Sequence, residues 1–338
     1  MGINFTVGEE TERFVGRSLH CITAVSFPIS LLTIRLLWTK TPKDAGAYKY
    51  LLMIMQGFSA LIELHMGVLF APIPLFPLMG AYCTGILCDL HVPPHFSTSF
   101  LFFIVLGCFI MLNICIFFRH QAIIPTNHPL KMRNRSRIFV CSIYAIAVEM
   151  LSVLVLRADH DSSRSSPYLE KNHPSMKWLF SKPGWIIWNP EGSVRFVVYH
   201  ALINHTFQAP LISCMIHHSL KVLKQRAPDM SLRTVSFHRA MISSLIMQSF
   251  CCVFVFLPVT VLVYSIISGT MTHEVTIAAF LTCQLFTPLH SITVILSSAT
   301  LRRSVWNYFR FRSMTDTPKI STTVLPKPRF IAISVPVC

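Results

Sequence analysis

The sequence predicts an all-α membrane protein: a seven-transmembrane helix bundle with a short interfacial helix after the last span. Three observations carry this prediction. Hydrophobic residues make up 53% of the 338-residue chain and charged residues only 13%, about half the charge of a soluble domain, and the mean hydropathy is +0.56. Seven stretches are apolar over the roughly 20 residues that a bilayer-crossing helix needs. Of the 29 Lys and Arg residues, 21 lie on or beside one face of those stretches. The net charge of +15 is therefore a topology signal, because basic loops stay on the cytoplasmic side. It gives no reason to invoke nucleic acid.

The elements follow in order. Residues 1–17 are polar, carry Glu9, Glu10 and Glu12, and read as an extracellular N-terminus without the basic start of a signal peptide. The spans are 18–38, 47–71, 95–118, 138–156, 194–216, 240–265 and 275–299. The second runs on through the proline-broken segment Pro72-Ile73-Pro74-Leu75-Phe76-Pro77. The fifth is the weakest, interrupted by His200, Asn204, His205 and Gln208. The stretch 80–90 is apolar but too short to cross and reads as loop. Pro28, Pro210, Pro258 and Pro288 each remove a backbone bond within a span and can kink it. The bundle thus covers 18–299. The cytoplasmic tail 300–338 holds an interfacial helix at about 301–312, where Leu301, Val305, Tyr308 and Phe309 share a face with the arginines largely opposite. The fifth helix is expected to continue past the bilayer with Lys221 and Lys224 on a basic face. This layout places a multi-pass chain in the plasma membrane, N-terminus outside, with anionic lipid as one partner. The sequon Asn4-Phe5-Thr6 is an expected glycosylation site on the outer side. Cys83 and Cys88 share the first outer loop, where pairing is open but the closure is tight. The second outer loop has no cysteine.

Several function classes meet this layout: a G-protein-coupled receptor, a transporter, a retinal-based pump or sensor, and a membrane enzyme. Span 275–299 has no lysine for a Schiff base, which excludes the retinal type. His200 and His205 lie five residues apart, about 500° around a helix, which is a poor metal site. No H-E-x-x-H, G-x-S-x-G or phosphate-cradling glycine loop is present, so no enzymatic activity, metal or cofactor is expected. Glu63 and Glu149 are isolated carboxylates within spans, costly in lipid and expected to face the bundle interior. They give a coupled transporter little support.

Local motifs narrow the reading. Thr39-Lys40-Thr41-Pro42-Lys43 followed by Tyr48-Lys49-Tyr50-Leu51-Leu52 precedes the second span. The proline segment 72–77 is followed by Gly80 and Gly85-Ile86-Leu87. Phe118-Arg119-His120-Gln121-Ala122-Ile123 ends the third. On these residues the chain resembles the nematode serpentine chemoreceptors, class I most closely, with class H related. The resemblance covers about residues 18–312. It departs from rhodopsin-like receptors in having no D-R-Y after the third span and Thr287-Pro288-Leu289-His290 in place of N-P-x-x-Y. The resemblance implies a cell-surface chemosensory receptor that binds an external small molecule and activates a heterotrimeric G protein. The alternatives are a ligand-gated channel subunit, a small-solute transporter, or a non-signalling partner of another receptor. Expected ligand contacts are Glu63, His65, His205, Gln208 and Gln284. Expected G-protein contacts are Arg119, His120, Gln121, Lys221 and Lys224.

Overall fold

The computed structural model describes residues 7–41, 46–75, 78–161, 169, 174–189, 192–268 and 272–315; Asn4 lies outside them. Seven long helices form the bundle: Glu9–Lys40, Ala47–Leu64, Pro94–Ile123, Asn134–Arg157, Val194–Arg226, Leu232–Cys251 with Val253–Ser268, and His273–Gln284 with Phe286–Ser297. They are called the first to seventh spans below. Among the described residues, six of them are long and apolar enough to cross a membrane. The remaining one is the fifth, whose polar side chains lower its hydropathy. It keeps its place by packing on the third, fourth and sixth spans. The ring closes through the first span, which packs on both the second and the seventh. The third is central, touching the second, fourth, fifth and sixth.

Helix ends differ from the apolar stretches in ways the end chemistry explains. The first helix begins at Glu9, because Glu9, Glu10 and Glu12 in its first turn favour the positive end of the helix dipole. The fifth runs to Arg226, about 50 Å at 1.5 Å per residue, which exceeds a hydrocarbon core of ~30 Å. Lys221 and Lys224 are exposed on its overhang. After the seventh span a helix over Ala299–Thr315 takes in the expected interfacial segment; Leu301 is buried there, while Trp306 and Tyr308 face outward. Pro28 and Pro210 do not break the first and fifth helices, which stay continuous through them. The breaks occur at Cys252 and Leu285. The ring of Pro288 excludes the carbonyl of Gln284, four residues earlier, and Gln284 is the last residue of its helix. The break at Cys252 lies just ahead of Phe254, whose carbonyl finds no N–H on Pro258, four residues later.

The proline segment is not a continuation of the second span. That helix ends in a single π-turn, His65–Leu69, and Pro72–Pro74 forms strand β1. The stretch 80–90 is not simple loop either: it contains β2, Gly80–Cys83, and a short helix Ile86–Asp89. Two strands from the segment 158–193, β3 (His160–Asp161) and β4 (Trp185–Trp188), complete an antiparallel sheet of order β1-β2-β4-β3. Its ladder aligns Pro72 with Cys83 and Tyr82 with Trp185. Prolines suit β1 because it is an edge strand, with no second neighbour to receive its missing N–H groups. At Gly80 an added Cβ would sit 2.6 Å from the Ile186 carbonyl oxygen.

Cys83 and Cys88 are joined in a disulfide. Gly184, at φ +55°, turns the chain over it so closely that a Cβ there would strike the Cys83 sulfur. The cysteine-free segment 158–193 is therefore fastened by backbone pairing and close approach. Two side-chain clips add to this. Lys182 pairs with Glu12 of the first span at 2.6 Å. The Ser193 N–H donates to Asp159 Oδ2 at 3.1 Å while the Asp159 N–H donates to Ser193 Oγ at 2.7 Å, which holds the Asp159 carboxyl below the usual carboxylate range. The helix ends at Lys40 and Ala47 and the connections 124–133 and 227–231 lie at the opposite end of the bundle, called here the basic end.

Candidate functional site

Beneath the sheet lies a cavity of about 310 Å³. Phe70, β1, β2 and Trp188 form its roof, and Thr98, Leu101 and Phe102 of the third span one wall. Val155, Val194, Val197, Val198 and Phe280 close it from the fourth, fifth and seventh spans. Its one hydroxyl is already used, since Thr98 Oγ1 donates to the Pro94 carbonyl at 2.9 Å. The indole Nε1 of Trp188 is buried without a partner among the described residues. The space is therefore apolar and uncharged, with one unspent hydrogen-bond donor on its lining.

None of the five expected ligand residues lines this cavity. Glu63 is 1% exposed and accepts from Ser30 Oγ at 3.1 Å, within a polar cluster where Gln56 donates to both Ser30 and Ser291. His65 Nε2 meets the Ser97 carbonyl at 2.9 Å, fastening the π-turn to the third span. His205 Nε2 meets Thr260 Oγ1 at 2.8 Å. Gln208 Oε1 accepts weakly from Asn113 at 3.5 Å, and Gln284 is buried at the break in the seventh helix. Four of the five thus have partners on neighbouring helices, as buried polar groups generally do. A line of rings crosses the same level: His205 on Phe256 (4.8 Å), Phe256 on Phe109 (5.3 Å), Phe109 on Phe286 (5.6 Å) and Phe286 on His290 (5.5 Å). It joins the fifth, sixth, third and seventh spans.

At the basic end the structure is closed. Arg119 is 5% exposed, with its guanidinium 3.7 Å from the Tyr48 ring centroid and 5.4 Å from that of Phe237. Aromatic faces from the second and sixth spans thus stand where a carboxylate partner is missing. His120 Nε2 lies 2.8 Å from His218 Nδ1 on the fifth span. Gln121, 1% exposed, donates to the Leu130 carbonyl and accepts from the Met132 N–H, so it shapes the connection 124–133. Of the five expected G-protein contacts only Lys221 and Lys224 are on the surface.

A family model for the serpentine type 7TM GPCR chemoreceptor Sri matches residues 5–305. The chain belongs to that family. Comparison with curated proteins found no match. Among solved structures, the crystal structure of squid rhodopsin aligns over 94% of this chain and 90% of its own, with a TM-score of 0.54 and 11% identity. That likeness speaks for the fold alone. This Sri-family chain is thus a multi-pass membrane protein and a chemosensory seven-span receptor by family and fold.

Several residues of the receptor's two sites escape a reading of the sequence. Tyr48 and Phe237 look like ordinary aromatic residues, and only the fold brings them onto Arg119. The cavity walls are mainly valines and phenylalanines that any lipid-facing helix would carry. The roof had a usable signal: Pro183-Gly184 followed by Trp185-Ile186-Ile187-Trp188 is a turn and then an aromatic, β-branched run, the pattern of a strand.

Proposed function

We propose that this receptor sits in the plasma membrane with its sheet end outside, takes a small external molecule into the cavity beneath the sheet, and activates a heterotrimeric G protein at its basic end. The observation that carries the ligand class is the cavity itself. Apolar walls and one indole N–H favour a neutral, largely hydrocarbon molecule bearing a single hydrogen-bond acceptor, such as a ketone, ester or ether. A charged ligand would be desolvated there without a counter-charge. In this reading Glu63, His65, His205, Gln208 and Gln284 support the bundle around the ligand through bonds between helices, each of modest strength.

Arg119, His120 and Gln121 become available to the G protein when the sixth span swings from the third, while Lys221 and Lys224 offer charge at all times. A ligand shifts this equilibrium by no more than its differential affinity for the two arrangements. The test is a panel of neutral volatile compounds against cells expressing the chain, read by calcium or cyclic nucleotide. Any active compound is followed by nucleotide exchange on purified G protein. Ketones and esters are expected to act where carboxylates and amines of equal length do not. Silence across the panel with confirmed surface expression would overturn the reading.

Phe237→Ala supplies a second check. A cation–π contact contributes about 0.5–2 kcal/mol depending on desolvation. Removing the sixth-span ring from Arg119 should therefore raise basal nucleotide exchange roughly two- to thirtyfold, with Phe237→Tyr near wild type.

A further inference from the structure

We infer that a second cavity, between the third, fourth and fifth spans and the connection 124–133, holds one acyl chain of an anionic phospholipid from the cytoplasmic leaflet, its phosphate against the basic start of the fourth span. The choice of leaflet rests on the orientation proposed above; the site itself rests on neither the ligand nor the G-protein reading.

The cavity measures about 230 Å³, and Ile114, Phe117, Leu130, Val140, Cys141 and Met215 are among its walls. Beside it Ile138, Phe139 and Ile143 are more than half exposed, so this flank of the fourth helix faces lipid. A mainly apolar hole beside a lipid-facing helix flank suits hydrocarbon over most of its wall, and its few polar atoms suit a chain that carries an acceptor.

Charge on the adjoining connection and the first turn of the fourth helix would select the headgroup. Lys131, Arg133, Arg135 and Arg137 follow one another at alternate positions. Among the described residues none of them has a carboxylate partner, and both ion pairs, Arg13–Glu9 and Lys182–Glu12, lie at the sheet end. Burial, together with Arg137 and Arg226, holds the Lys131 ammonium below the usual lysine range, a crowding of positive charge that a phosphate would relieve. Basic clusters of this kind attract anionic lipid.

Polar atoms argue for an ester-linked chain over a bare hydrocarbon. Tyr144 and His120 belong to the cavity lining, and the Tyr144 hydroxyl and His120 Nδ1 are buried without partners among the described residues. An ester carbonyl would accept from the Tyr144 hydroxyl, and a second from His120 in the tautomer that carries its proton on Nδ1, with Nε2 accepting from His218. Because His120 and Gln121 adjoin Arg119, an occupant here braces the closed basic end.

The test uses the full chain purified in mild detergent from membranes of equal phosphatidylcholine and phosphatidylglycerol, with retained lipid counted by native mass spectrometry. About one phosphatidylglycerol per chain is expected to survive. Retention should fall at least about fivefold in Cys141→Phe, which fills the cavity, and in Arg133→Gln/Arg135→Gln, which removes exposed charge. Helical circular dichroism should be unchanged in both. Should Cys141→Phe fail to fold, the exposed arginine pair decides. Equal retention of the two lipids, or wild-type retention in the variants that fold, overturns the proposal. Displacement of the lipid by inorganic phosphate alone overturns the acyl-chain assignment. An epitope at the C-terminus found outside intact cells overturns the leaflet and the orientation together, leaving the retention result to stand for the site.

Discussion

Val198→Trp is expected to raise the ligand concentration needed for half-maximal response at least about a hundredfold, equivalent to roughly 2.7 kcal/mol of lost binding. Val198 is half-buried on the cavity wall, so an indole there would occupy space the ligand needs. It also sits near the start of the fifth helix, where the added bulk has room to settle, and overpacking of this kind costs about 1–3 kcal/mol of stability. Surface expression should therefore persist, and it is the control that separates a blocked cavity from an unfolded receptor. Trp188→Phe sharpens the test, because it keeps an aromatic roof and removes only the N–H. One net hydrogen bond contributes about 1 kcal/mol, so ketones and esters should lose potency by roughly fivefold while a pure hydrocarbon of the same length is unaffected. Full potency of every ligand on Val198→Trp would move the binding site elsewhere.

The second large effect is expected at a position that touches no ligand. Gly184→Val forces a β-branched residue into φ +55°, and left-handed backbone costs an ordinary residue about 1–2 kcal/mol before any contact is counted. Its side chain would also meet the Cys83–Cys88 disulfide, against which even a Cβ has no space. The turn cannot form as it stands, and β4 follows directly after it. The variant should lose most of its surface expression. Any receptor that does reach the surface should show limited proteolysis within 158–193 where the wild type resists. Gly57→Ala is the matched control: it lies within the second helix with no atom in reach of an added Cβ, and it should express normally. Wild-type expression and protease resistance in Gly184→Val would mean that the sheet is not fastened at this turn.

How much of this was legible beforehand depends on the scale of the pattern. Apolar length and charge asymmetry are summed over twenty residues or more, and they locate all seven spans, even the fifth, where His200 and His205 dilute the signal, although the helices of the first, fifth and sixth run well past the apolar stretch at one end, to Glu9, Arg226 and Leu232. Helix ends were less legible because they turn on local chemistry, such as the acidic first turn at Glu9 or the Pro288 ring against Gln284. The sheet is not legible because its strands are two to four residues long and its central pairing, β2 with β4, joins residues more than a hundred apart in sequence, as Gly80 with Ile187. Length and hydropathy therefore gave Pro72–Pro74 to the preceding helix. Polar residues within spans stood out as unusual, and that drew attention to Glu63 and His65. A buried polar atom is satisfied first by its nearest neighbour, however, and Ser30 and the Ser97 carbonyl are in reach. The apolar residues around the cavity carry no such mark. Their role follows from a space between elements, and space is not a property of any one residue.

The sheet also decides which parts of the bundle can swing. The second and third spans join it through the turns after Leu69 and before Pro94, and the fourth and fifth through His160 and Trp188. The first is tethered by Glu12 to Lys182. No strand of it connects in sequence to the sixth or seventh span, although Ile277 of the seventh packs in one cluster with Ile73, Tyr82 and Trp185, and those two spans carry mid-helix breaks at Cys252 and Leu285. Five rods are thus tied to one bracket by chain connection or ion pair, while the two jointed ones have no such tie to it among the described residues. In the proposed mechanism a ligand under the bracket would press on Phe280 of the seventh rod, and the jointed pair would carry that motion to the far end, where Phe237 of the sixth rests on Arg119.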